Sequence, residues 1–518
     1  MNPTWVIFLA ILCNSGCNGA RLLGVFPIPV RSHYTLAFKL MQGLAEAGHQ
    51  VTVIAPFPAK NVPSNVSWEH VVVEGIAEEY HKKFKDMNLL EDSNRNVVER
   101  MVQYQNLMVH WINDTLWDPK VQALLTPATK FDAVVLEQFM NDAHKVYAHF
   151  FDCPLILISS MGAAPWVNNI VGNPNPPAYI RHIFFSSTFD YTKIWTRFGN
   201  LVTYITEFLV DYFYSQPLHN RLIQARFPGA PSVEELNKRT ALVLLNSHES
   251  LMEPVPLVPN MVHIGGYHIE PPKPLPDDLQ QFMDKATDGV IYFSMGGNIK
   301  GSQMRKEKLE IFFNAFRKLK QKVIWKFEVE KMPGVPDNVL MKSWLPQQDI
   351  LAHPNVKLFI THGGLLSTTE TVYHGVPVLA IPIYGDQYMN AENAVRYGYG
   401  LMLGYNDKNF NYETFSATLN ELLNNPKYMK SARQRSQIFH DRPLTPMEST
   451  VYWVEYVIRN NGAKHLQVSG ANLPIYKYLM LDILASIIAA LAIAWISLKT
   501  IIRLIVSKLK RSKKEKRS

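Results

Sequence analysis

Residues 344–393 read WLPQQDILAHPNVKLFITHGGLLSTTETVYHGVPVLAIPIYGDQYMNAEN. Leu358 to Thr361 is a short β-branched and aromatic run that reads as a strand. It passes directly into His362-Gly363-Gly364, where a helix is expected to begin. Glycines let backbone approach a ligand closely, and the unpaired N–H groups at a helix start attract phosphate. His362 adds a donor toward a diphosphate. Ser367 lies one turn into the helix and Glu370 three residues further on the same face, where a carboxylate accepts from ribose hydroxyls. Trp344 and Gln347 precede the strand on a loop; an indole face stacks on a planar base and an amide pairs with its edge. Asp386 and Gln387 follow the next strand, Val378 to Ile381, beyond Pro382, and can bond sugar hydroxyls. Each residue alone would pass as packing, a turn or a solvated face. Their order spells base, ribose, diphosphate and sugar.

The elements around this stretch agree with it. Gly289 to Phe293, Lys322 to Phe327 and Val339 to Lys342 read as further strands, with helices over 303–320, near 363–374 and near 386–397. Ahead of the Pro-rich linker Pro271–Pro276 lies a second α/β region. There Leu22 to Ile28 is an apolar run, a helix is expected from about Tyr34 to Ala47, and Val51 to Ala55 is the next strand. Phe131 to Leu136 and Pro154 to Ser159 repeat the pattern around a helix near 140–150. Strands alternating with helices imply parallel sheets, with ligands at the carboxyl ends of the strands. Residues 179–215 differ, being crowded with Phe, Tyr and Trp; they read as an aromatic core, as the wall of an apolar pocket, or as a surface dipping into a membrane.

The ends of the chain carry membrane signals. WVIFLAIL over 5–12, followed by Cys17 and Gly19 at −3 and −1 of a cut, reads as a secretory signal lacking its usual basic start. Residues 478–498 are almost wholly apolar, with Asp482 the one charge; about 20 such residues cross a bilayer as a helix. Residues 499–518 hold nine Lys/Arg and one Glu, which accounts for the whole net charge of +8. The remainder is neutral, so no basic groove for nucleic acid is expected. Positive charge stays cytosolic, giving a single-pass type I orientation. Lys514 and Lys516 resemble a di-lysine retrieval signal of the endoplasmic reticulum. Of three cysteines, Cys13 and Cys17 leave with the signal, and Cys153 alone can form no internal disulfide. Asn65-Val-Ser67 and Asn113-Asp-Thr115 are glycosylation sequons.

The 344–393 stretch closely resembles the signature of the UDP-glycosyltransferase family, in its animal membrane-bound branch. The likeness extends through Ser32-His33, Phe293-Ser294-Met295-Gly296, Trp453 to Arg459, Gly462 to Leu466, the span and the basic tail. The variant Leu365-Leu366-Ser367-Thr368-Thr369 looks insect-like. The resemblance implies a GT-B fold: two doubly wound Rossmann-like α/β domains facing a cleft, plus one C-terminal transmembrane helix. It implies a signal over 1–19, an acceptor-binding domain over 20–262 and a UDP-sugar-binding domain over 263–440. A helical segment over 441–473 would return toward the first domain, before a span over 474–498 and a tail over 499–518. The implied reaction is inverting transfer of a hexose, glucose by the insect-like variant, from a UDP-sugar to a hydroxyl of a small lipophilic acceptor.

In that reading Trp344 and Gln347 hold uracil and Glu370 holds ribose. His362 with the regions of Gly363, Gly364 and Ser367 holds the diphosphate, Asp386 with Gln387 holds the sugar, and Ser294 and Gly296 belong to the same UDP-sugar site. His33 matches the general base, suited by an imidazole pKa near working pH. Glu137 stands where relatives carry the orienting Asp, with Asp142 as the reserve. Leu366 stands where many relatives carry Asn, so one polar phosphate contact is missing. No Asp-x-Asp clamp, HExxH, P-loop or GxSxG elbow occurs, so no metal or cofactor is expected beyond the UDP-sugar co-substrate. The partners expected are donor, acceptor and membrane lipid, with self-association left open and the catalytic part in the lumen of the endoplasmic reticulum. An epimerase of the same architecture would not need the aromatic stretch or the span, and a non-catalytic carrier would not need His33.

Overall fold

The computed structural model describes residues 19–85, 90, 97–185, 188–330 and 332–515; the signal read over 5–12 and Lys516 lie outside the described residues. One sheet comprises β1 Arg21–Val25, β2 Gln50–Ala55, β3 Trp68–Val72, β4 Ala133–Glu137, β5 Leu155–Ser159, β6 Thr240–Leu245 and β7 Met261–His263. Its order is β3-β2-β1-β4-β5-β6-β7, and every pairing is parallel. The central strands AVVLE, LILIS and TALVLL are buried at every residue, as a parallel sheet covered by helices on both faces requires.

The second sheet comprises β8 Val290–Ser294, β9 Lys322–Lys326, β10 Val339–Lys342, β11 Val356–Thr361, β12 Val378–Ala380 and β13 Gly400–Met402. Its order is β10-β9-β8-β11-β12-β13, again all parallel. In each sheet the strand order reverses once, between β1 and β4 and between β8 and β11. Crevices open at such switch points, at the carboxyl ends of the strands. His33 follows β1 and Glu137 ends β4; Ser294 ends β8 and His362 follows β11.

The helix after β1 runs Arg31–Glu46, three residues earlier than the periodicity suggested, because extended Val30 after Pro29 already ends the loop. His33 therefore sits in its first turn. The helix Pro446–Arg459, opened by a Thr445–Glu448 capping box, packs on the first sheet's side of the molecule. Its Val454 and Val457 join that core, and a Cβ on Gly43 would come within 2.1 Å of Met447. Both sheets belong to one compact unit ending at Gln467. The unit from Val468 carries the helix Leu481–Glu515, whose side chains are exposed and which is long and apolar enough to cross a membrane over Leu481–Lys510.

The aromatic stretch divides between two of its expected roles. Tyr179, Ile180, Arg181, Ile183 and Tyr191 line a cavity, described below. The helix Ile194–Val210 instead turns its apolar face outward, with Ile194, Trp195, Phe198, Leu201, Val202, Ile205 and Leu209 exposed. Its inward face carries Asn200, fully buried and bonded to the carbonyls of Pro177 and Ile180 and the amide of His182.

Candidate active site

His33 points across the first switch point to the end of β4, and its Nδ1 lies 2.6 Å from Glu137 Oε1. The carboxylate accepts from Nδ1–H and so fixes the tautomer, leaving Nε2 to take a proton. Phe139 packs against the ring at 5.0 Å between centroids, and Trp166 backs Phe139 at 6.4 Å. Burial pushes the imidazole pKa down. The Glu137 charge and hydrogen bond, with the Asp386 charge from the second half, outweigh it and hold the pKa above the ordinary value. Asp386 is raised by burial, with its Asn390 bond and His33 acting against that. The His33–Glu137 pair and Asp386 are thus electrostatic neighbours.

Asp142 is not brought to His33. Its Oδ1 accepts from Lys145 Nζ at 2.5 Å and from Gln138 Nε2 at 3.0 Å, and Lys145 is fully buried. Burial would raise this carboxyl, but the Lys145 ammonium holds it well below the carboxylate range. The reserve residue neutralises a buried lysine instead.

In the second half the loop after β10 is anchored by buried Leu345, while Trp344 stands 71% exposed. An indole left so open is a platform for a flat ring. Gln347 donates to Glu370 Oε2 at 2.5 Å and to Ser367 Oγ at 3.0 Å, and Tyr292 donates to its oxygen at 3.3 Å. Gln348, which the sequence reading passed over, donates to Glu370 Oε1 at 3.2 Å. Glu370 is buried at the centre of this cradle.

His362 is sandwiched between two glycines. A Cβ on Gly296 would lie 2.6 Å from its ring and one on Gly364 2.5 Å, so both positions exclude any side chain. Gly296 and Gly363 also hold φ of +80° and +81°, the left-handed region. Burial, with Lys326 nearby, pushes the His362 pKa down to about 4, so the ring is a neutral donor. Its Nδ1 has no partner among the described residues. Lys326 Nζ donates to the Gly296 carbonyl at 2.7 Å and brings a half-buried cation to this loop. It too was passed over, since a lysine closing a strand carries no pattern of its own. Ser294 is buried and braces the turn, accepting from Gly296 N–H at 3.3 Å. The helix Leu365–His374 has Gly364 as its N-cap, and the Leu365 amide donates to the Asp386 carboxylate, which brings that carboxylate to the helix start.

Gln387 pins the loop after β12 by accepting from the amides of Ile383 and Tyr384 at 2.8 and 3.1 Å. Asn390 donates to the Gly363 carbonyl and to Asp386 Oδ2, both at 2.9 Å, and so ties the loop after β11 to the loop after β12. Its spacing of four from Asp386 on one helix was the signal available. Leu366, the departure noted above, packs against the first half's core instead of facing a ligand.

The two halves meet around a cavity of about 560 Å³, lined by Met161, Ile180, Arg181, Glu249, Met252 and Met389 among others. Arg181 donates to Glu392 at 2.5 Å, Arg396 pairs with Glu253, and Tyr397 donates to the Met252 carbonyl at 2.8 Å. All three contacts join the helix that Asp386 opens, or the residue after it, to the first half.

A sequence model of the family described as "UDP-glucoronosyl and UDP-glucosyl transferase" matches residues 23–516. The chain is 36% identical over 478 residues to UDP-glycosyltransferase UGT5 of Dactylopius coccus, covering 90% of this chain and 89% of that one. It is 35% identical to UDP-glucosyltransferase 2 of the same insect, with 92% of each chain covered. The fold resembles a crystal structure of UDP-glucose:anthocyanidin 3-O-glucosyltransferase in complex with UDP. There the TM-score is 0.57 and the identity 15%, with 86% of this chain and 100% of that one covered.

Proposed function

The chain belongs to the UDP-glucoronosyl and UDP-glucosyl transferase family, and from that premise we propose that this GT-B UDP-glycosyltransferase moves glucose, with inversion, onto a hydroxyl of a small lipophilic acceptor. The observation that carries the mechanism is the His33–Glu137 pair held within electrostatic reach of Asp386. The acceptor hydroxyl gives its proton to His33 Nε2 as its oxygen bonds the anomeric carbon on the face opposite UDP. The bond from that carbon to the diphosphate oxygen breaks, and UDP leaves with the electron pair. Glu137 stabilises the imidazolium formed. The helix start at Leu365 and neutral His362 receive the charge on the departing diphosphate, so the step needs no metal.

Trp344 and Gln347 take uracil, Glu370 ribose, and Asp386 and Gln387 the hexose. The apolar cavity lined by Ile180, Met252 and Met389 supports a lipophilic acceptor. Two features support contact with membrane lipid: the apolar helix over Leu481–Lys510 and the outward aromatic face of Ile194–Val210. We place the catalytic part in the endoplasmic-reticulum lumen. Asn65 is exposed there for a glycan, whereas Asn113 lies on the helix Val97–Trp117 with Thr115 buried and bonded to the Trp111 carbonyl. The test is UDP release from UDP-glucose by microsomes, with and without a panel of phenols, and identification of the product. Acceptor-dependent UDP release with a β-glucoside formed is expected; UDP-glucose bound but not consumed with any acceptor would refute catalysis.

A further inference from the structure

We propose that the pair Tyr267–His268, just ahead of the Pro-rich linker, couples the two substrate sites, His268 orienting Glu370 toward ribose while Tyr267 holds the helix that carries His33. The proposal rests on the reading of Glu370 as the ribose contact. His268 is 1% exposed, and neither ring nitrogen has a hydrogen-bond partner among the described residues. A buried imidazole without partners is costly and marks a group waiting for one. Its Nε2 lies 3.7 Å from Glu370 Oε1, just beyond bonding distance. The same carboxylate is already held by Gln347 and Gln348. When Gln347 turns to a base, Glu370 loses that donor, and the His268 N–H is the unpaired donor beside it.

The adjacent contacts run the other way. Tyr267 donates its hydroxyl to the Leu36 carbonyl at 3.1 Å, three residues beyond His33 on the same helix. Glu270 pairs with Lys39 of that helix, and its amide donates to Gln348 Oε1 at 3.2 Å. Three residues within one stretch of four, Tyr267, His268 and Glu270, therefore touch the base helix and the ribose cradle between them. Movement of Glu370 and Gln348 on nucleotide binding is transmitted to the helix that positions His33.

The test uses the full chain in detergent, with UDP and 2′,3′-dideoxy-UDP as probes. His268→Phe is expected to weaken UDP about tenfold, the size of one hydrogen bond to a charged group, while changing dideoxy-UDP less than about twofold. His268→Gln, which keeps a donor near the Nε2 position, should recover most of the loss. In a Glu370→Ala background His268→Phe should add almost nothing. Tyr267→Phe should lower kcat and leave UDP affinity unchanged. Equal losses for both probes, or additive losses with Glu370→Ala, would reduce His268 to a structural role and overturn the proposal. If Glu370→Ala alone leaves UDP affinity intact, the ribose assignment itself falls, a separate failure visible before His268 is touched. Should His268→Phe not fold, the two probes on His268→Gln decide: a loss confined to UDP supports the proposal, and an equal loss opposes it.

Discussion

The first turn of a helix is a poor place to create a cation, since the peptide dipoles put positive potential there. His33 occupies that turn, and Glu137 supplies the compensating charge at 2.6 Å. His33→Ala should lower transfer on the order of 10²–10⁴-fold while UDP-sugar still binds, because the donor contacts lie on the other sheet. The imidazole must be neutral to accept a proton, and its pKa is held above 6.5. The rate should therefore fall with falling pH through a value above 6.5, and Glu137→Gln should both slow turnover and shift that limb downward by removing the raising charge. A pH–kcat/KM profile of both proteins checks this; an unmoved limb in Glu137→Gln would break the pairing. Asp142→Asn should act differently. It leaves buried Lys145 bonded to Asn237 but without the Asp142 charge, and breaking such a pair costs about 3–5 kcal/mol, so the unfolding temperature should drop while the pH limb stays in place.

At the level of elements, the two switch points do the positioning; the second was legible because a strand ending in a glycine-rich turn before a helix is a local pattern, whereas β1 runs into Phe26-Pro27-Ile28-Pro29-Val30, marked by its prolines. β1, β5, β8 and β11 declare themselves as apolar runs. Three of the four edge strands do not: β3 mixes Glu69 and His70 into its run, and β7 and β13 are three residues each, too short for any periodicity. β6, TALVLL, carries as clear a run as β5 and was passed over for want of punctuation around it. Residues such as Lys326, Gln348 and Asn390 stayed hidden because their partners lie 30, 22 and 27 residues away and only the fold brings them together. The His362 sandwich gives a sharp test. Gly364→Ala places a methyl 2.5 Å from the ring and should displace it, weakening UDP and UDP-glucose alike. Glu370→Ala should also weaken both, through ribose, whereas Asp386→Asn should weaken UDP-glucose far more than UDP. Titrating both ligands against the three variants checks the division, and equal losses for Asp386→Asn would refute it.

For the whole molecule, charge and apolarity fix where each part can reside. Leu481–Lys510 cannot stay in water as an exposed apolar helix, and the basic residues from Lys499 onward oppose translocation. In the proposed topology the compact unit ending at Gln467 faces the lumen, and UDP-sugar must then be present there. A tag inserted before Pro474 should resist protease in sealed microsomes and become sensitive when detergent is added. Replacing Lys514 and Lys516 by Ser leaves seven basic residues among 499–518, enough to keep the orientation, so protection and detergent activity should be unchanged. The same double variant separates orientation from residence: if those two lysines retain the protein, it should drift toward the cell surface with its topology intact. Full retention would move the retaining element into the span or the lumenal unit. Cleavage of the Pro474 tag in sealed vesicles would invert the topology, and the chemistry at His33 would then draw on cytosolic UDP-sugar.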